Sequence, residues 1–420
     1  MISLNGKYTT ADIMIDNVEP ECIKQIIAMI NHPVFVNPVK IMPDCHAGKG
    51  SCIGFTMKMG DKIIPNIVSV DIGCGMLSTV IGQWGFDLAD VDRRIRKIIP
   101  FGYNVNEKNI FDMNRFPWPV GTNGPWFISK CKQIGIDPSY AVASIGSLGS
   151  GNHFCELGKS EKTGDIVLTV HSGSRNFGKK VCDYWQSVAA GVDDQTIKIK
   201  MLIGIEEIKK TAKDGQFIGR RISELKKSLN VVKKVSGLEF LEGEDAKNYI
   251  FDMAFAQKYA QWNRKIIMER IIEALGYYGF SKPILSIDTI HNFIDPQDQI
   301  IRKGAIRSYI GEQMIIPMNM RDGILLCEGK SNPEWNFSAP HGAGRVLSRS
   351  MAKKTLSLDQ FQKQMDSIFS TSVCQSTLDE APGAYKDSMI IEAAIEPTAI
   401  IIDRIKPILN LKSREDDKND

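Results

Sequence analysis

The sequence predicts an α+β protein in which mixed β-sheets are flanked by helices and a metal site lies at strand ends. Four short apolar runs end in polar, glycine-rich turns, which is typical of buried strands that carry functional residues at their C-terminal ends. These runs are NIVSVDIGCGM, GDIVLTVHSGSRNFG, PILSIDTIHNF and EQMIIPMNMRDG. Helical stretches lie between and after them, over roughly 181–230, over roughly 245–276 and after Ser357, where Ser357 or Asp359 would cap a helix.

The composition is that of an ordinary soluble globular protein, with 43% apolar and 24% charged residues among 420. The formal net charge is only +3, so any positive charge that binds nucleic acid must be gathered locally. The N-terminal residues MISLNGKYTTADIMIDN lack the pattern of a signal peptide, and no run of about 18 apolar residues suggests a membrane helix. We therefore expect a cytoplasmic protein without a membrane segment.

The chain shows no fixed-period repeat, low-complexity block or Pro/Ser linker. We therefore predict one catalytic domain over 1–412, with a helical, basic insertion at about 181–244 and a frayed polar tail at 413–420. The stretch 209–234 holds nine Lys and Arg residues. It is either a solvated helix face or an RNA-contacting patch, and charge runs favour the solvated face.

Nine cysteines, an odd number scattered along the chain, predict reduced thiols and no disulfide framework. Cys22, Cys52, Cys131 and Cys182 lie in apolar or unpatterned surroundings and are expected to be inert small hydrophobic residues. No CxxC pair is present, which argues against a zinc ribbon.

Five residues form a candidate metal-binding set. Asp71 and Cys74 are three residues apart in SVDIGCGM, where glycines permit a tight turn, so both side chains can meet one ion. Three histidines lie in comparable motifs: His153 in GSGNHFCE, His171 in LTVHSGSR and His291 in DTIHNF. Taken singly, each histidine is more simply a buried structural residue, but the set as a whole favours a metal site.

The donor types indicate which metal would bind. A thiolate, a carboxylate and imidazoles suit Mn, Fe, Co or Zn better than Mg or Ca, which prefer oxygen ligands. A thiolate can bridge two ions, and metals paired at about 3.5–4 Å are a common arrangement for phosphoryl transfer. A two-metal site is therefore one interpretation of this set.

A candidate nucleophile lies in SAPHGAGRVLSR. His341 is followed by Gly342, Ala343 and Gly344, which are small enough for a phosphate to approach the backbone, and then by Arg345. A neutral imidazole can displace pyrophosphate from a nucleoside triphosphate while cations neutralise the developing charge. A glycine-rich turn that happens to contain a histidine explains the same pattern equally well.

Taken together, the motifs MPDCHAGKG, VDIGCGM, GSGNHFCE, HSGSRNFG, HNF, PHGAGR, DEAPGAYK and IKPILNLK resemble the successive signatures of the RtcB family of 3′-phosphate RNA ligases. They keep the family order from about residue 42 to residue 412. The resemblance implies an RtcB-type fold and a ligase that joins RNA 2′,3′-cyclic phosphate or 3′-phosphate ends to 5′-hydroxyl ends. GTP would guanylylate a histidine, the guanylyl group would pass to the RNA 3′-phosphate, and the 5′-hydroxyl would displace GMP.

The resemblance also implies ligands for two Mn²⁺ ions. The first ion would be held by Asp71, Cys74 and His153, and the second by Cys74, His171 and His291. The thiolate of Cys74 would bridge them, and His341 would carry the guanylyl group.

The nucleotide contacts are implied in the same way. They would be Asn152, His153, Phe154, Cys155, Glu156, His291, Asn292, Pro317, Met318, Asn319, Met320, His341, Gly342, Ala343, Gly344, Tyr385 and Lys412. Glu156 can accept hydrogen bonds from N1 and N2 of guanine, donors that adenine lacks, although an ordinary exposed glutamate would give the same sequence. Arg175 and Arg345 are candidates for RNA phosphates because a guanidinium matches phosphate geometry. Asp44 and His46 resemble an early motif near the reacting RNA ends.

The chain departs from the commoner family form, roughly P-G-S-M-G-x-x-S, in the nucleotide pocket. Here Pro317 is followed by MNMRDGI, so two glycines and a serine are missing. We expect bulkier groups near the guanylate or a shifted loop, with Arg321 available for a phosphate. The pattern suggests a divergent paralogue branch that repairs broken ribosomal or transfer RNA. A monomer is expected, and the need for a protein activator stays open.

Two other functions are compatible with these residues. A metal-dependent RNA-end phosphatase or cyclic phosphodiesterase would keep the metals without nucleotide transfer. A non-catalytic RNA-end-binding module would use the metals structurally. Neither needs a nucleophile together with a guanine pocket, so His341, Glu156 and Lys412 favour the ligase.

Overall fold

The structure is a computed structural model that describes residues 1–82, 87–108, 110–192, 194–211, 215–230, 237–276 and 286–418. Its strands are β1 (Ile2–Asn5), β2 (Thr10–Ile13), β3 (Val39–His46), β4 (Ile53–Lys58), β5 (Gly75–Gly82), β6 (Phe154–Ser160), β7 (Ile166–Ser172), β8 (Ser286–Ile290), β9 (Asn292–Ile294), β10 (Ile300–Lys303), β11 (Ala305–Arg307), β12 (Gln313–Pro317), β13 (Ile324–Gly329), β14 (Ser338–Pro340) and β15 (Ala399–Leu411). Its α-helices are α1 (Pro20–Ile30), α2 (Pro65–Val68), α3 (Leu88–Ile98), α4 (Gly124–Gln133), α5 (Pro138–Ala143), α6 (Arg175–Ala189), α7 (Asp194–Thr211), α8 (Gly215–Asn230), α9 (Gly243–Ala274), α10 (Arg349–Thr355), α11 (Leu358–Gln364) and α12 (Ser388–Ala394).

Two sheets organise the described residues. One has the strand order β1-β2-β3-β4-β10-β9 and is mixed, because β2 and β3 run parallel while its other pairs are antiparallel. The other has the order β12-β13-β15-β6-β7-β5-β8 with antiparallel pairs throughout. The strands β11 and β14 form a separate ribbon. The predicted α+β class with helices against the sheets is confirmed.

The long helix α9 connects the cores of the two sheets. Its N-terminal half contributes Tyr249, Met253 and Phe255 to the core beside the first sheet, and its C-terminal half contributes Ile267 and Ile271 to the core beneath the second. Between these halves, Asn263 and Arg264 are fully buried. The middle of α9 therefore lies beneath the strand ends where the functional residues gather.

Three of the four predicted strand segments are strands where the structure describes them. The run ending at His171 is β7, the run before His291 is β8, and QMIIP is β12. Residues 283–285 of the third run lie outside the described residues. Each of these three strands leads directly into a loop that carries candidate functional residues.

The prediction of a strand before Asp71 was wrong. Residues Pro65–Val68 form the short helix α2, and the strand begins only at Gly75, after the Asp71–Cys74 turn. A short, fully buried apolar run does not distinguish strand from helix by its periodicity. Pro65 at the first turn favours the helix, because a missing N–H costs nothing there.

The helical predictions hold in outline. Residues 181–230 fall into α6, α7 and α8, and 245–276 corresponds to α9. Ser357 caps α11, because its hydroxyl accepts a hydrogen bond from the backbone N–H of Gln360, whereas Asp359 lies inside the first turn.

The predicted insertion contains two different kinds of helix. Helix α6 packs Phe177, Val181 and Trp185 into the core. In the basic stretch, Lys210 pairs with Glu206 within α7, and Arg220 pairs with Glu224 within α8. Both are exposed ion pairs between residues one helical turn apart. These pairs agree with a solvated face, while residues 212–214 and 231–236 lie outside the described residues.

The polar tail expected at 413–420 stays a prediction, and its described part makes hydrogen bonds to the rest of the chain. The carboxylate of Asp417 accepts hydrogen bonds from Arg96 and from the backbone N–H of Arg414, and residues Glu415–Lys418 form a 3₁₀ turn. Residues 419–420 lie outside the described residues. The hydrogen bond from Arg96 therefore holds the C-terminal residues up to 418 beside α3.

All nine cysteines are free thiols, which confirms the prediction of reduced cysteines, and eight of them are buried. Across the described chain, no helix combines the length and the apolar character that crossing a bilayer requires.

Candidate active site

The turn between α2 and β5 places Asp71 and Cys74 at the edge of the second sheet. Gly73 within this turn has φ of +69°, and a Cβ there would lie 2.7 Å from the backbone of Gln257 in α9. A side chain at this position would therefore face both strain and a clash. Glycine lets the turn lie directly on α9 and point both flanking side chains in one direction.

Cys74, His153 and His171 form a buried cluster whose ligand atoms all lie within 4.8 Å of one another. The Sγ of Cys74 is 3.4 Å from Nε2 of His153 and 3.3 Å from Nε2 of His171. The cluster joins the turn before β5, the start of β6 and the end of β7, three adjacent segments of the second sheet. These three side chains could hold a metal ion.

Asp71 extends this cluster on the His153 side. One carboxylate oxygen lies 3.0 Å from His153 Nε2, and the other accepts a hydrogen bond from the backbone N–H of Ser174 at 3.1 Å. Burial alone would raise the pKa of Asp71, but the interactions with His153 outweigh it and lower the pKa. Asp71 is thus held as a carboxylate, the form that binds a cation.

A backbone carbonyl on the side of the ring away from Asp71 and Cys74 fixes the orientation of His153. Its Nδ1 lies 3.0 Å from the carbonyl oxygen of Leu148, which can only accept, so Nδ1 carries the hydrogen. When a cation binds between these side chains, Nε2 can offer it a lone pair on the side of Asp71 and Cys74. Such a backbone carbonyl behind the imidazole is the usual support of a metal-binding histidine.

His291 lies on the other side of His171, with ring centroids 5.2 Å apart. Within the described part of the chain, Nδ1 of both His171 and His291 is buried without a hydrogen-bond partner. Burial lowers the pKa of both imidazoles well below the usual value, which keeps them neutral. Neutral imidazoles with unpaired buried nitrogens are suited to bind a metal ion.

The thiol of Cys74 gives a further test of fit. Burial raises its pKa well above the ordinary value, so the cluster needs a cation to hold it as a thiolate. With one thiolate, one carboxylate and three imidazoles, the donors suit a borderline transition metal.

Helix α9 supports the ligand-bearing segments. Nη1 of Arg264 donates to the carbonyl oxygens of Gly73 and Ser172, at 2.8 and 3.0 Å, each next to a cluster residue in sequence. Asn263 accepts from the N–H of Gly146 and donates to the carbonyl of Gly173. Sequence reasoning missed both residues, because nothing in a helical stretch marks the residues that face a loop.

His341 lies beside the cluster, with its ring centroid 4.8 Å from that of His291. Its Nδ1 is 2.6 Å from Oδ2 of Asp44, whose carboxylate also accepts the backbone N–H of His341 at 3.2 Å. The buried carboxylate can accept only from an Nδ1–H, which leaves the lone pair on Nε2. The orientation and tautomer of the His341 ring are thereby fixed by Asp44.

A cavity of about 410 Å³ opens in front of His341. Most of the predicted nucleotide contacts line it: Asn152, Phe154, Glu156, Pro317, Met318, Asn319, Met320, His341, Gly342, Ala343, Gly344, Tyr385 and Lys412. His153, Cys155, His291 and Asn292 do not. His153 belongs to the Cys74–His153–His171 cluster and His291 lies beside it. Cys155 points into the opposite core, and Asn292 forms hydrogen bonds with the backbone at Asp71 and Gly304.

The loop after β12 is the segment that departs from the commoner family form, and its bulky and polar residues are engaged in contacts within the protein. Met318 and Met320 are buried in separate apolar clusters, and Asn319 closes the turn by accepting the N–H groups of Arg321 and Asp322. Arg321 pairs with Asp322 at 2.7 Å and does not line the cavity. Both methionines therefore pack into the apolar core while also lining the cavity, and Arg321 is engaged outside the cavity.

The four residues expected near RNA phosphates are placed differently from one another. Arg345 and His46 line the cavity. Asp44 is fully buried against His341. Arg175 lies behind the metal cluster, where its guanidinium donates to Ser147 and to the carbonyl of Gly102, and it does not line the cavity.

Glu380, which sequence reasoning missed, organises one wall of the cavity. Its carboxylate accepts from Lys412 at 2.9 Å and from the hydroxyl of Tyr385 at 2.7 Å, and it also pairs with Arg345 and Arg349. Burial would raise its pKa, but these cations lower the pKa to about 2. The DEAPGAYK motif contains Glu380, but nothing in the motif marks it as the partner of cations that lie elsewhere in the chain.

A family model described as "tRNA-splicing ligase RtcB" matches residues 25–116 and 136–413. The RNA-splicing ligase RtcB of Escherichia coli strain K12 is 27% identical, with 94% of this chain and 95% of that protein covered. The tRNA-splicing ligases RtcB of Methanococcus maripaludis and Aeropyrum pernix are 25% and 23% identical, covering 91% and 88% of this chain and 89% and 86% of theirs.

Proposed function

The chain belongs to the RtcB family, whose model covers most of its length, and from this premise we propose that it is a GTP-dependent RNA ligase. His341 Nε2 attacks the α-phosphorus of GTP, a P–N bond forms, and pyrophosphate leaves with the P–O electron pair. The guanylyl group then passes to an RNA 3′-phosphate, which releases His341. A 5′-hydroxyl end attacks the activated phosphate, gives up its proton, and displaces GMP. A 2′,3′-cyclic phosphate enters after water opens it to the 3′-phosphate.

One observation carries this proposal: an oriented imidazole meets a buried metal-binding cluster at a cavity of nucleotide size. The Asp44 carboxylate fixes the hydrogen of His341 on Nδ1, so Nε2 is free to attack. The adjacent His291 connects the nucleophile to the ligand cluster. A phosphatase or a binding module would not need this pre-oriented nucleophile.

We assign two Mn²⁺ ions to the cluster. Asp71, Cys74 and His153 would hold one, and Cys74, His171 and His291 the other, with the Cys74 thiolate between them. Bound ions would neutralise charge on phosphate oxygens next to His341. The support for this assignment is the buried donor set and the two unpaired imidazole nitrogens of His171 and His291.

The cavity supports guanine as the base. Glu156 is buried on its floor with one carboxyl oxygen unpaired among the described residues, which suits a ligand that donates hydrogen bonds. Lys412 and Tyr385 line the wall and are held by Glu380. The RNA end would approach from the side of His46 and Arg345. Repair of broken transfer or ribosomal RNA in the cytoplasm is the role that we propose for such a ligase.

The test is covalent labelling. The protein is incubated with GTP radiolabelled at the α-phosphate and Mn²⁺, and is then run on a denaturing gel. We expect label on wild type and on His32→Ala, a histidine remote from the cavity, but none on His341→Ala. Metal-loaded, folded wild type that takes no label would refute the proposal.

A second measurement separates the alternatives. Defined RNAs with 3′-phosphate or cyclic phosphate ends are incubated with a 5′-hydroxyl RNA and either GTP or ATP. Joined product with GTP supports the ligase. Loss of the terminal phosphate without joining would indicate a phosphatase or phosphodiesterase, and bound but unchanged RNA would indicate a binding module.

A further inference from the structure

The floor of the cavity is formed by two strands that pair directly. In the antiparallel β6–β15 pair, Glu156 and Asn410 are opposite each other. Their neighbours Cys155, Leu157, Leu409 and Leu411 point to the other face of the sheet and belong to its apolar core. Glu156 and Asn410 therefore lie side by side on the cavity face, and both line the cavity.

Asn410 is an unusual residue for this position. It is 1% exposed and lies one residue before the end of β15, in a strand, where asparagine is disfavoured. A buried amide is costly unless each polar atom has a partner. Its Nδ2 donates to Oε2 of Glu156 at 2.7 Å, but within the described chain its Oδ1 has no hydrogen-bond partner.

One carboxyl oxygen of Glu156 likewise has no hydrogen-bond donor in the described part of the chain. Its Oε2 is used by Asn410, whereas its Oε1 is buried and unpaired among the described residues. With Glu156 ionised, the cavity floor thus presents two acceptor atoms on neighbouring residues, Glu156 Oε1 and Asn410 Oδ1. A ligand that fits them must offer several hydrogen-bond donors from one edge.

We infer that Asn410 is a specificity-determining residue, which accepts a hydrogen bond from the exocyclic N2 amine of guanine while Glu156 accepts from N1–H and the other N2 hydrogen. This inference rests on the proposed use of GTP and adds a residue to it. The exocyclic amine has two hydrogens, and a single carboxylate that pairs with N1–H can take only one of them. Asn410 Oδ1 takes the second.

The consequence is discrimination against bases that lack this amine. Hypoxanthine keeps N1–H and O6 but has hydrogen in place of the amine, so it leaves Asn410 Oδ1 buried and unpaired. Leaving one buried acceptor without its partner weakens binding by about tenfold. An N2-methyl group on guanine would replace the second donor and collide with the Asn410 amide.

The experiment measures binding of GMP, IMP and N2-methyl-GMP by calorimetry, since monophosphates have no pyrophosphate to lose and cannot react. Wild type should bind GMP more than about tenfold more tightly than IMP, because IMP lacks the donors both for Asn410 and for the second hydrogen bond to Glu156, and it should reject N2-methyl-GMP. In Asn410→Ala, the GMP-to-IMP ratio should fall by about tenfold, since only the hydrogen bond from N2 to Glu156 still separates the two bases, and N2-methyl-GMP should bind better than it does to wild type. A residue that only supports Glu156 would not produce this gain.

Two results would overturn the inference: a wild type that binds IMP as tightly as GMP, or a folded Asn410→Ala that keeps the wild-type ratio and gains nothing with the methylated base. Asn410→Ser provides a second variant if the alanine protein does not fold, and the same ratios can be read from labelling by the matching triphosphates. A failure of the proposed function itself would give a different experimental result. Wild type would then take no label from GTP at all, whereas intact labelling with unchanged base ratios refutes only the role of Asn410.

Discussion

Asp44 Oδ2 and His341 Nδ1 lie 2.6 Å apart, although 297 residues separate them in the chain. Asp44 lies within β3 in the first sheet, and His341 follows β14. The carboxylate is fully buried and also accepts the backbone N–H of His341. It therefore fixes both the position and the tautomer of the imidazole, and it resembles the third member of a catalytic triad in this respect.

Asp44→Asn should leave the fold intact but impair His341. The amide can present an N–H to Nδ1, which would place the imidazole hydrogen on Nε2 and remove the attacking lone pair. We expect the single-turnover rate of label transfer from GTP to fall by about 10²–10⁴-fold, as when a triad carboxylate is replaced. The rate is measured by quenching the labelling reaction at successive times.

The metal content of Asp44→Asn serves as its control, because Asp44 is not among the proposed ligands. Metal bound per chain should equal that of wild type. A labelling rate within a fewfold of wild type would show that Asp44 only packs against His341.

The bridging assignment of Cys74 predicts different metal losses for different ligands. Cys74→Ala should lose both ions, whereas His153→Ala and His291→Ala should each lose mainly one. Metal per chain is measured after dialysis against metal-free buffer. Cys131→Ala, another buried cysteine but outside the cluster, should keep the wild-type content. Unchanged metal in Cys74→Ala would exclude the bridge.

Glu380→Gln should destabilise the protein and not only the site. Lys412 and Glu380 are both nearly fully buried, so removing the negative charge leaves a buried cation without its partner. Breaking such a pair costs about 3–5 kcal/mol, and the midpoint of urea unfolding at neutral pH should fall accordingly. Glu396→Gln removes the partner of an exposed ion pair with Lys330 and should change stability by less than about 1 kcal/mol.

The sign of the pH effect gives a second test of Glu380. Its pKa is about 2 in the folded protein, below the ordinary carboxyl value of 4.5, so its contribution is present at neutral pH. That contribution is lost as the pH falls from the ordinary value through about 2. The stability difference between wild type and Glu380→Gln should therefore shrink on acidification. A difference that stays constant would mean that Glu380 acts by shape and not by charge.

Local motifs predicted much of the site because each one places a functional residue beside a turn that its own sequence encodes. The positions of His171 at the end of β7 and of His291 after β8 follow from apolar runs that stop at polar residues. The strand before Asp71 was mispredicted because a short buried run carries no period that separates helix from strand.

Contacts between distant segments could not be predicted in this way. Nothing near Asp44 in the sequence indicates that it meets His341, and nothing in β15 indicates that Asn410 lies opposite Glu156. These pairs depend on strand order and register, which are set by the packing of whole sheets. The same reason hid Glu380, whose cationic partners Arg345, Arg349 and Lys412 lie between 31 and 35 residues away in the chain.

Glu156 predicts a pH dependence for nucleotide binding. Burial raises the pKa of its carboxyl to about 8, so at neutral pH the empty site holds mainly the protonated form. Guanine donors favour the carboxylate, so binding of GMP should release a proton, and affinity should rise with pH until it levels off above about 8. The slope can reach about tenfold per pH unit for one released proton. Calorimetry in buffers of different ionisation enthalpy measures the released proton directly. Glu156→Gln cannot ionise and should bind with a flatter pH profile, so identical profiles for the two proteins would show that Glu156 is already ionised in the empty site.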